Sequence, residues 1–162
     1  MAAVPDRFDL WVRKARECGE PARQVDYILG SLVGLSDWHF LNLGTGEKPQ
    51  AAEVEIEGER HVLVFPDAGR IEEMLKDRGE SVRPAPVITI PTVAAMGWCL
   101  EREAEGCAGL LVNPGDYAAV ISMGHLRVFH DEWSRRGGRE RIGFWIPSMT
   151  TEEEDFWQEN GL

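Results

Sequence analysis

The stretch AEVEIEGERHVLVFPD, residues 52–67, decides how the rest of the chain is read. Val54 and Ile56 alternate with glutamates, the period-two pattern of a strand with one wet face. Glu57-Gly58 is a two-residue turn signal, and Val62 to Phe65 return as an unbroken apolar run, as in a more buried strand. Asp67 is then placed to cap a short helix whose face is Ile71, Met74 and Leu75, closed by Gly79. A hairpin that feeds a helix begins a mixed α/β arrangement.

Reading towards the N-terminus, residues 5–18 predict an amphipathic helix. Phe8, Trp11, Val12 and Ala15 recur at spacings of three and four, while Arg7, Arg13, Lys14 and Arg16 take other faces. A second helix follows Pro21, with Val25, Ile28, Leu29 and Leu32 on one stripe and Gly34 near its end. DWHFLNLG, residues 37–44, reads as a strand, and residues 45–50 as a polar loop.

Towards the C-terminus, PVITI is a β-branched strand, and Pro91-Thr92 opens a helix over 92–105 with Val93, Met96, Leu100 and Ala104 as its expected inward stripe. AGLLV is a further strand that stops at Asn113-Pro114-Gly115, and YAAVI is a short extended piece. The next helix is expected to start at the cap Ser122, to turn Leu126, Phe129 and Trp133 inward and to end across Arg135 to Gly138. A final strand, RIGFWIP, precedes an acidic tail. The β-α-β unit around residues 87–112 is expected to form a right-handed parallel crossover. The expected fold class is α+β or mixed α/β: one domain, a mixed sheet of about five or six strands flanked by helices. It divides into an N-terminal helical hairpin (1–36) packed on the domain, an α/β body (37–148) and an acidic tail (149–162).

At 162 residues the chain is of ordinary single-domain size, and 43% hydrophobic with 28% charged residues is the composition of a globular protein. Its apolar runs are far shorter than a membrane span, and the N-terminus lacks the pattern of a signal peptide, so a cytoplasmic setting is expected. With 28 acids against 17 bases the net charge of -11 opposes nucleic acid and anionic lipid, and neither is an expected partner. Cys18, Cys99 and Cys107 show no CxxC or zinc spacing and read as small buried hydrophobes.

The residues from about Trp38 to Val120, and on into the following helix, resemble the N-terminal domain of the SseB type, the enhanced serine sensitivity proteins of bacteria. The resemblance is carried by FLNLG, EVEIEGERHVLVFPD, AGRIEEMLKDRG, PTVAAMGWCLEREAEGCAG and LLVNPG, roughly half the chain. Three features depart from that family's pattern. The hairpin before Trp38 and the strand and tail after Arg139 are more elaborate, the C-terminal partner domain of longer members is absent, and Pro66 stands where threonine or serine is usual. The resemblance implies a bacterial cytoplasmic protein with a binding or regulatory role, and it carries no catalytic residue.

Four places merit weighing as sites. Asn113, Gly115 and Asp116 follow a strand, where a glycine lets backbone N–H groups approach an anion, although Pro114 removes one donor and the other glycines or lysine of a phosphate loop are missing. A turn capped by Asn113 accounts for the same residues. His125 and His130 stand five apart, which separates them by about 140° on a helix, so no metal is expected there; His125 can still meet solvent or a distant carboxylate. His39 and His61 fall on neighbouring strands, where a cross-strand pair is conceivable. No nucleophile elbow is present, and neither a cofactor nor a catalytic residue is expected.

The fourth place is the C-terminal region. Arg135, Arg136, Arg139 and Arg141 form a basic cluster, and Glu152 to Asp155 run directly into Phe156-Trp157. Two adjacent aromatics favour burial, so Phe156 and Trp157 are expected to anchor the tail on an apolar groove, with its acids near the arginines. The expected function is a non-catalytic protein-interaction or regulatory module that binds a partner or itself. The alternatives are a sensor of an amino acid or other small anion at residues 113–116, and a hydrolase built on His125 or His130.

Overall fold

The computed structural model describes residues 7–17, 19–80, 85–114 and 118–136. The expected final strand and the acidic tail, with Arg139, Arg141, Phe156 and Trp157, lie outside the described residues, as do Cys18, Gly115 and Asp116. The fold is mixed α+β. Its elements in chain order are α1 (Arg7–Glu17), α2 (Pro21–Val33), β1 (Asp37–Leu41), β2 (Glu53–Ile56), β3 (Glu59–Val64), α3 (Ala68–Asp77), β4 (Val87–Pro91), α4 (Thr92–Glu101), β5 (Cys107–Val112), β6 (Ala119–Ser122) and α5 (Met123–Arg136).

The hairpin of residues 53–64 forms as its pattern predicts, with Glu53 opposite Val62 and Ile56 opposite Glu59. Its turn places Glu57 at φ 53° and Gly58 at φ 82°, the two positive angles that let a two-residue turn follow the strand twist. β3 continues into a parallel pair with β5, and β6 adds antiparallel to β5, giving the order β2-β3-β5-β6. β1 and β4 form a second, antiparallel pair. The two sheets join where His39 and Phe65 exchange backbone hydrogen bonds of 3.0 and 2.9 Å.

The joined sheet gives the expected crossover its parallel sense, between strands that are not neighbours. β4 runs against β1, β1 against the end of β3, and β3 with β5. β4 and β5 therefore share a direction without being neighbours, and the hydrogen-bonded parallel pair is β3–β5. Two β-branched runs that are both apolar do not say which of them pairs with a third, because pairing is fixed by what covers each face.

Alternation along β3 and β5 explains the layers. Val62, Val64, Leu110 and Val112 join the larger core beneath α1, α2, α4 and α5, together with Phe8, Val12, Leu29, Leu32, Trp38 and Phe129. Leu63 and Phe65 turn to the opposite face and meet Ile71, Met74 and Leu75 of α3. Buried on both faces, β3 has no polar position to spare after His61, hence its continuous apolar run.

Local chemistry sets the helix ends. Asp67 Oδ1 accepts from the Arg70 N–H at 3.0 Å and caps α3, as expected, and Ser122 Oγ accepts from the His125 N–H at 3.1 Å at the start of α5. The stripe expected on α4 is displaced: Thr92, Ala95, Met96 and Cys99 are buried, whereas Val93 is half exposed and Ala104 lies in a separate, exposed 3-10 turn, Arg102–Glu105. The helix is apolar nearly all round, so its sequence carries little information about which face turns in. The start of α4 is fixed instead by hydrogen bonds, Thr92 N–H to Ser36 O at 3.0 Å and Thr92 Oγ1 to Leu35 O at 2.5 Å.

Candidate functional site

Residues 109–114 close the parallel pair at its carboxyl end, the position where open α/β sheets take ligands. Gly109 allows the close approach of β6, since a Cβ there would overlap the carbonyl oxygen of Ile121. Asn113 donates its N–H to Val64 O at 2.7 Å and is itself in the left-handed region, at φ 48°. The turn thus begins one residue before the proline, and the residue that meets the unusual backbone is asparagine, which tolerates it.

Asn113 is only 8% exposed. The helix that follows β3 has its N-terminus occupied by this chain's own acid: Asp67 caps α3 and holds Arg70 Nε at 3.0 Å, while the Arg70 guanidinium stacks 5.1 Å from the Phe8 ring centre. A carboxylate at a helix N-terminus satisfies the donors and the dipole that would otherwise draw a free anion. Among the proposed ligand residues, therefore, the structure places Asn113 beside β3, and Gly115 and Asp116 lie outside the described residues.

The histidines separate into unrelated roles. His125 Nε2 and Asp26 Oδ1 lie 2.6 Å apart across 99 residues of sequence, joining the first turn of α5 to α2. Of the two alternatives for His125, solvent or a distant carboxylate, the structure gives the carboxylate, Asp26. His130 meets its neighbour Asp131 at 3.4 Å. The conceived His39–His61 pair does not form: His39 Nδ1 lies 3.1 Å from Thr89 Oγ1, its register partner on β4, and His61 Nδ1 lies 3.0 Å from Glu59 O. Among the described residues no hydroxyl or thiol is hydrogen-bonded to the ring of His125 or His130, and no group of three acids, histidines or cysteines is placed to hold a metal.

Both described cysteines are buried free thiols. Burial pushes the Cys99 thiol up to about 12. Burial, and the carboxylate of Glu53 that accepts from its Sγ at 3.3 Å, push Cys107 up to about 11. Neither is a nucleophile near neutral pH.

A groove of about 230 Å³ lies where α1 and α2 meet the first residues of β6. Val12, Ala15, Val25 and Ile28 supply its apolar wall, Arg16 and Gln24 its polar lip, and Ala118 to Val120 its floor. Among the described residues β6 is the edge of the four-stranded sheet, and from Ala119 to Ser122 it carries no charge. Its own Val120 is 47% exposed. The opposite edge, β2, alternates glutamates that blunt it against pairing. A sequence pattern shows only that YAAVI is extended; that residues 118–120 line an apolar groove follows from the packing of a helix about 90 residues earlier.

The expected arginine site is only partly placed. Arg135 is exposed at the end of α5 and pairs with Glu132 three residues before it, which holds its guanidinium charged. Arg136 ends the helix. No helix among the described residues is long and apolar enough to cross a membrane. The chain matches no protein-family model, no curated protein and no solved structure.

Proposed function

We propose that this chain is a non-catalytic protein-interaction module, the role that the SseB-type resemblance implies, and that its docking surface is the groove at the β6 edge. One observation carries the reading: an uncharged edge strand, with no strand partner among the described residues, borders an apolar groove. An extended peptide laid there gains main-chain hydrogen bonds from β6 and apolar contacts from α1 and α2, the mode of β-strand addition. Selection from a displayed random-peptide library tests it. The expected outcome is a family of extended apolar peptides whose binding is lost in the Val120→Glu protein. Selected peptides indifferent to that change would sink the reading.

A second reading, a sensor of an amino acid or other small anion, is favoured by the burial of Asn113 at the carboxyl end of β3 and β5. A thermal-shift panel of amino acids and small anions decides it, since a ligand at about 100 times its dissociation constant adds roughly 2.7 kcal/mol of stability.

A further inference from the structure

We draw no further inference here: the strongest candidate, the apolar groove that Val12, Ala15, Val25 and Ile28 form with residues 118–120 at the start of β6, carries nothing beyond the docking reading already proposed, because nothing among the described residues shows what covers it.

Discussion

Gly109 stands opposite Ser122 in the β5–β6 register, and nothing larger fits there without moving the backbone of β6. Gly109→Ala is expected to cost about 1–3 kcal/mol, the scale of an overpacked core, measured as a lowered urea midpoint at unchanged slope. An unchanged midpoint would mean that β6 yields freely. The buried thiols make a second residue-scale prediction. Folding raises Cys99 from 9.0 to about 12, so the native state holds that proton more tightly than the unfolded chain. Stability from this source is fully present below pH 9 and is lost as pH climbs from 9 towards 12. Urea midpoints should therefore decline more steeply with pH above 9 in the wild type than in Cys99→Ala. Alkylation at pH 8 should be slow until denaturant is added.

At the scale of elements, α2 and α5 share the larger core and are also linked by a long-range polar contact, His125 with Asp26. Both side chains are partly shielded, at 29% and 15% exposure, so the contact outweighs an open surface pair without ranking as a buried one. Asp26→Asn and His125→Gln in a double-mutant cycle are expected to show a coupling of about 1 kcal/mol; additive effects would show that the helices are held by packing alone. α3 depends in the same way on its cap. Asp67→Ala should cost about 1 kcal/mol and Asp67→Asn much less, because asparagine keeps the side-chain acceptor. Thermal midpoints of the pair check this.

At the scale of the whole molecule, helices α1 and α2 share one core with the sheet. Phe8 and Val12 belong to the same cluster as Trp38, Leu110 and Phe129. Unfolding followed by tryptophan fluorescence and by far-ultraviolet circular dichroism is therefore expected to give coincident curves, and two separated transitions would show that the hairpin unfolds by itself. Trp38 reinforces the connection, since its Nε1 donates to Leu32 O at 2.9 Å and satisfies a carbonyl at the end of α2.

The sequence by itself determined what depends on neighbours along the chain. The hairpin at residues 53–64, the caps Asp67 and Ser122, the buried stripe of α3 and the α+β class all follow from period, turn chemistry and side-chain acceptors within a few residues. Tertiary structure alone decided what depends on distant partners: that β3 pairs with β5, that the carboxylate met by His125 is Asp26, that α4 turns Ala95 and Cys99 inward, and that the start of β6 lines a groove. The physical reason is common to all four. An apolar run or a lone histidine states that it needs a partner, but which partner it gets is settled by the joint burial of every face in the sheet, and that condition is written across the whole chain rather than in any segment of it.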